Sequence, residues 1–214
     1  PWASAGAGAV DHGSGTETPI AAPPVQPAAC AISSNVPRTG DALLVVDVQC
    51  DFLPGGSLAV PGGDAILAPL NATLGHFEAR RLPIFASRDW HPADHCSFQV
   101  HGGTWPVHCV AGGPGAAFPA GLRLPASTGI VSKGCHAERD AYSAFGETDL
   151  HQRLRALGVQ RLFVAGLATD YCVLATVLDA CALGYSVVVL QDAIAAVALQ
   201  PGDGERALAR MRAS

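Results

Sequence analysis

The chain has no apolar run approaching the roughly 18 residues needed to cross a bilayer. Its most apolar stretches, Leu162 to Leu167 and Val187 to Leu190, are far shorter, so no membrane span is expected. Basic residues are few. Thirteen Lys and Arg against eighteen Asp and Glu leave a formal net charge of -5, and the scattered cations form no stripe for nucleic acid. The seven cysteines include no Cys-x-x-Cys pair and no regular spacing, which excludes an evident disulfide framework or structural zinc knuckle. A reducing cytoplasm is the simplest setting. No Gly-x-Gly-x-x-Gly follows the first apolar run, so the dinucleotide fingerprint is missing, and no internal repeat is visible. A secretory signal is not expected either, because no positively charged start precedes an apolar core.

What is present divides in two. Residues 1–40 are rich in Ala, Gly, Pro, Ser and Thr and carry few charges, a composition expected to be disordered. Residues 41–214 alternate strand and helix patterns. Strands are expected at Ala42–Val48, Pro83–Ser87, Gly129–Ser132, Arg161–Ala165 and Ser186–Leu190. Helices are expected at Asp64–Arg80, Asp149–Leu157, Asp170–Leu183 and Asp203–Arg212, with Pro69 tolerable only near a first turn. Such alternation predicts an α/β fold, a Rossmann-like three-layer α/β/α arrangement around a mainly parallel sheet. The chain ends directly after its last helix, so the domain is expected to lack a final C-terminal strand. The stretch from Arg88 to Thr128 breaks the rhythm, and long ordered loops of that kind are usually functional.

In open α/β sheets ligands bind beyond the carboxyl ends of the strands. Three reactive side chains fall at such ends: Asp47 after the first strand, Lys133 after the third and Cys172 after the fourth. Taken singly, each has an ordinary explanation: a loop carboxylate, a solvated cation, a small buried hydrophobe. Together they form a nucleophile with a base and an electrostatic partner. Cys172 is expected in a first helical turn, where free N–H groups favour thiolate, and Lys133 is expected to help keep Asp47 ionised.

A second group lies in the long loop. Asp89 and His91, two residues apart in an extended segment, share a side, and His108 can join them. One carboxylate and two imidazoles suit zinc, iron or manganese with positions left open. His95 is either a fourth ligand or a histidine outside the coordination shell. His101, His136, His12, His76 and His151 read as ordinary loop or surface residues.

The segments Asp47-Val48-Gln49-Cys50-Asp51-Phe52-Leu53-Pro54-Gly55-Gly56-Ser57-Leu58, Asp89-Trp90-His91-Pro92, Trp105-Pro106-Val107-His108-Cys109-Val110, Lys133-Gly134 and Gly166-Leu167-Ala168-Thr169-Asp170-Tyr171-Cys172-Val173 resemble the nicotinamidase/pyrazinamidase family of isochorismatase-like cysteine hydrolases. The likeness runs in order from about Asp41 to the C-terminus. It implies that Asp47, Lys133 and Cys172 are a catalytic triad and that Asp89, His91 and His108 bind one divalent metal, with His95 a further ligand in some members. It also implies an oxyanion hole from the N–H groups of Ala168 and Cys172, with a cis peptide before Ala168, and a pocket walled by Phe52, Trp105 and Tyr142.

The reaction so implied is hydrolysis of nicotinamide to nicotinic acid and ammonia through a cysteine thioester, a step of NAD salvage. Pyrazinamide is a further candidate substrate, and the metal would hold the pyridine nitrogen directly or through water. The competing readings are a related amidohydrolase acting on another small amide and an inactive fragment of such an enzyme. Cys50 and Tyr171 stand where many relatives carry other residues. The expected partner is a small molecule rather than nucleic acid or membrane, and the number of subunits is not fixed by the sequence.

Overall fold

A computed structural model of the protein describes residues 36–214. The disorder expected for residues 1–40 therefore falls largely outside the described residues. The last of that segment is already tied to the domain, since the Arg38 amide donates to Asp41 and the Gln160 amide to the Gly40 carbonyl.

Five strands form one sheet: β1 (Asp41–Val46), β2 (Ile84–Asp89), β3 (Gly129–Lys133), β4 (Arg161–Leu167) and β5 (Ser186–Ala195). Their order is β3-β2-β1-β4-β5, and every pairing is parallel. Helices α1 (Leu67–Ala79), α2 (Leu150–Ala156), α3 (Leu174–Ala182) and α4 (Asp203–Ala213) cover the two faces.

The run Ala42-Leu43-Leu44-Val45-Val46 shows why such strands read as continuously apolar. Successive side chains point to opposite faces, and each face is buried. Ala42, Leu44 and Val46 pack with Leu154 of α2, Val177 of α3 and Met211 of α4. Leu43 and Val45 pack with Leu70, Leu74 and Phe77 of α1. The three-layer α/β/α expectation is met. Among the described residues, no helix is long and apolar enough to cross a membrane.

The boundaries differ instructively. β1 stops at Val46 rather than Val48 because Asp47 takes a left-handed φ of 48°, which turns the chain out of the sheet. β2 and β3 each run slightly further than expected, ending on Asp89 and Lys133, which are register partners. β5 continues to Ala195 past a register shift opposite Val164 and Gly166. The helix expected from Asp64 starts at Leu67, leaving Pro69 in the first turn, where its missing N–H costs nothing. The helix expected from Asp170 opens instead with a wide π-type turn, Thr169–Val173, before α3.

Two features brace the sheet at opposite ends. At the amino ends of β1 and β4, the register partners Asp41 and Arg161 form a bidentate ion pair with distances of 2.9 and 2.6 Å. Near the carboxyl ends, Gly166 adopts φ 120°, and a Cβ there would lie 2.0 Å from the Val46 carbonyl oxygen. Gly166→Ala should cost about 3 kcal/mol or more through strain and overpacking. For a domain of this size that corresponds to a fall in Tm of roughly 6–12 °C, readable by thermal denaturation.

Candidate active site

The strand order reverses direction between β1 and β4, which opens a crevice at their carboxyl ends. Asp47 follows β1 there, Cys172 follows β4, and Lys133 reaches across from the end of β3. All three are nearly or fully buried. Lys133 Nζ lies 3.0 Å from Asp47 Oδ2, 2.5 Å from Asp89 Oδ1 and 3.5 Å from Cys172 Sγ, and it donates to the Ala141 carbonyl at 2.9 Å. One ammonium thus faces two carboxylates and a thiol. A carboxylate oxygen from each of Asp47 and Asp89 and the Cys172 sulfur all lie within 4.8 Å of one another.

The two oxygens of Asp47 are used differently. Oδ1 accepts from the Ser87 hydroxyl at 2.7 Å, whereas buried Oδ2, though ion-paired with Lys133, has no hydrogen bond of good geometry among the described residues. Oδ2 is therefore the Asp47 oxygen with capacity to accept a further hydrogen bond.

The electrostatics correct one expectation from sequence, a favoured thiolate at Cys172, while the expected pull of Lys133 toward ionised Asp47 has the right sign but is outweighed. Burial, together with the Asp47 and Asp89 charges, pushes the Cys172 thiol well above its ordinary range despite Lys133 nearby. Cys172 rests as a thiol, because it sits in the buried wide turn rather than in an exposed first α-helical turn. Asp47 is also raised, first by burial and then by Asp89, and these outweigh the pull of Lys133. Burial opposes the charge on Lys133, but Asp47 and Asp89 hold its pKa well above the usual lysine range. Burial likewise opposes ionisation of Asp89, yet Lys133 and His91 bring its carboxyl below the usual range.

Asp89 also meets His91 and His108, each offering one ligand atom within a 4.8 Å group. Their second atoms are committed: His91 Nδ1 bonds the Gly134 carbonyl at 2.9 Å and His108 Nδ1 the Pro106 carbonyl at 2.7 Å. A ring N–H spent on a backbone carbonyl leaves Nε2 as a lone pair directed into the group, the arrangement that metal-binding histidines need. The donor set therefore fits a divalent cation. His95 stands apart. Its ring stacks on His91 at 4.0 Å, and its nitrogens are engaged by Ser97 Oγ and the Arg139 carbonyl.

Phe52, Trp105 and Tyr142 line a small apolar pocket together with Cys172, Asp89, His108 and Ala168. The Trp105 indole donates to the Tyr142 hydroxyl at 3.1 Å, and Tyr171 packs edge-on to Trp105. The Leu167–Ala168 peptide is cis.

Sequence reasoning missed several members. Ser87 sits on β2 beside the end of β1, and only the strand pairing reveals it. Gln49 accepts the Asp89 amide at 2.7 Å and donates to the Asp89 carbonyl at 2.8 Å, fixing that residue's backbone. Tyr171, Leu58, Val60 and Val197 complete the pocket wall. An aromatic residue next to Cys172 was the available signal for Tyr171.

The isochorismatase domain model matches residues 41–214. The chain belongs to the isochorismatase family. It is 40% identical over 194 residues to the nicotinamidase of Escherichia coli strain K12, covering 81% of this chain and 91% of that protein. It is also 40% identical over 164 residues to the nicotinamidase/pyrazinamidase of Mycobacterium tuberculosis, covering 73% of this chain and 87% of that protein. Among solved structures, the pyrazinamidase of Pyrococcus horikoshii in complex with zinc superposes with a TM-score of 0.78 at 46% identity, over 81% of this chain and 95% of that one. PnC1 from L. infantum in complex with nicotinate gives a TM-score of 0.76 at 40% identity, over 86% and 92% of the two chains.

Proposed function

We propose that this member of the isochorismatase family is a nicotinamidase, hydrolysing nicotinamide to nicotinate and ammonia, with Cys172 as nucleophile, Asp47 as general base and Lys133 as their electrostatic partner. The observation that carries the reading is the open Asp47 Oδ2 beside the protonated Cys172 thiol, which lines an aromatic pocket. A raised thiol cannot attack as it stands. Transfer of its proton to Asp47 Oδ2 generates the thiolate only as the substrate arrives, with Lys133 stabilising whichever group carries the negative charge.

The sulfur then adds to the carboxamide carbon, and the carbonyl oxygen becomes an oxyanion for which the N–H groups of Ala168 and Cys172 are the proposed donors. Asp47 returns the proton to the amide nitrogen as the C–N bond breaks, so ammonia leaves and a thioester remains. Water, deprotonated by the same carboxylate, attacks the thioester. Nicotinate departs, and the sulfur regains its proton.

Phe52, Trp105 and Tyr142 sandwich a flat heteroaromatic ring, and the apolar pocket limits competing water. Asp89, His91 and His108 would hold a divalent metal, which would supply Lewis acidity to orient the heteroaromatic ring. Pyrazinamide, a heteroaromatic carboxamide of similar shape, fits the same description and is proposed as a second substrate.

Ammonia release from nicotinamide by the purified protein tests this reading. Turnover of nicotinamide is expected, and treatment with a strong chelator should remove most of it until divalent metal is restored. No ammonia from either amide by metal-replete protein would sink the assignment. Full activity in protein shown by metal analysis to be stripped would remove the metal from the scheme.

A further inference from the structure

The geometry points to Asp51 as a positioning residue for the metal triplet, acting through the backbone of Cys109. This rests on the proposal that Asp89, His91 and His108 bind a divalent cation. Asp51 lies in the short 3-10 turn Cys50–Phe52 after β1, and neither its charge nor its side chain enters the reaction described above.

Its carboxylate Oδ2 accepts the Cys109 amide at 2.7 Å, while Oδ1 accepts the Ser57 amide at 3.3 Å. Cys109 directly follows His108 and takes a left-handed φ of 45°, a conformation unfavourable for a residue with a Cβ and so in need of an anchor. The Cys109 carbonyl in turn accepts the His91 amide at 3.0 Å. The backbone of one residue, Cys109, therefore connects two of the three candidate ligands, following His108 directly and accepting from His91, and Asp51 holds its amide.

The anchor is closely fitted. A Cβ added at Gly115 would lie 2.0 Å from Asp51 Oδ2, so the backbone there approaches the carboxylate as only glycine permits. Two residues earlier in the same segment, Gln49 clamps the amide and carbonyl of Asp89. Gln49 and Asp51 thus fix the two halves of the triplet from a single stretch of chain, the stretch that also carries Asp47. Groups that orient metal ligands from behind typically alter affinity by about 10–100-fold when removed.

The test uses the full chain, stripped of metal by a chelator and titrated with zinc alone against a chromophoric competitor. Circular dichroism of the metal-free proteins checks that each variant folds. Wild type is expected to take up zinc at one site. Asp51→Ala should bind it about 10–100-fold more weakly. Asp51→Asn, whose amide oxygen can still accept the Cys109 N–H, should keep most of the affinity.

Gly115→Ala, which displaces the carboxylate without removing it, should weaken binding as Asp51→Ala does. The double variant should be no weaker than Asp51→Ala alone, because the two changes break the same bond. If Asp51→Ala does not fold, the contrast between Asp51→Asn and Gly115→Ala decides the matter. Wild-type affinity in Asp51→Ala, or an Asp51→Asn as weak as Asp51→Ala, overturns the role given to this hydrogen bond. Failure of the wild type itself to bind zinc removes the metal reading, a different result from loss in the variants alone.

Discussion

Cys172→Ala is expected to lower nicotinamide hydrolysis by at least about 10⁴-fold, because removing the proposed nucleophile abolishes the covalent route and leaves only what binding and the proposed oxyanion donors contribute. The surroundings offer no substitute. The Ser87 hydroxyl is committed to Asp47 at 2.7 Å. The fold should survive, since a small apolar group replaces a thiol in the core beside Val173 and Leu174. Initial rates of ammonia release, alongside an unchanged Tm, would separate chemistry from stability. Residual activity within tenfold of wild type would remove Cys172 from the mechanism.

Lys133→Met should affect activity and stability together. The methionine keeps an apolar stem of similar length but leaves Asp47 and Asp89 facing each other without a cation at a buried site. Breaking a buried pair by removing one partner costs about 3–5 kcal/mol, which for a domain of this size lowers Tm by roughly 6–20 °C. Catalysis should fall as well, because proton transfer from Cys172 to Asp47 then occurs with nothing to balance the migrating charge. A variant that melts with the wild type would show that the ammonium contributes nothing to the balance of these groups. Thermal denaturation and ammonia release on one preparation give the two readouts.

The fold was largely legible because its strands are buried on both faces, and such strands announce themselves as short apolar runs between helical patterns. Their ends were not, since the left-handed turn at Asp47 and the wide turn at Cys172 are set by tertiary contacts rather than propensity. Asp47, Lys133 and Cys172 could be grouped because reactive residues at strand ends share one rim. Ser87, Gln49 and Asp51 could not, because each acts through a backbone group or a neighbouring strand about forty or more residues away. The protonation of the thiol was misjudged for a related reason. A helix dipole can be inferred from sequence, whereas the full burial of the sulfur, and Asp89 as a second carboxylate beside it, become apparent only in three dimensions.

The ion pair between Asp41 and Arg161 sits at the rim of the sheet opposite the pocket, a full strand length from Cys172. Robustness and chemistry therefore occupy separate ends of the same strands. Substitutions that accumulate around the Asp41 end can tune how long the enzyme persists while leaving its substrate choice alone, and pocket changes can be tolerated when the far rim supplies a reserve. For directed evolution, that separation argues for reinforcing the amino ends of β1 and β4 before diversifying the aromatic wall.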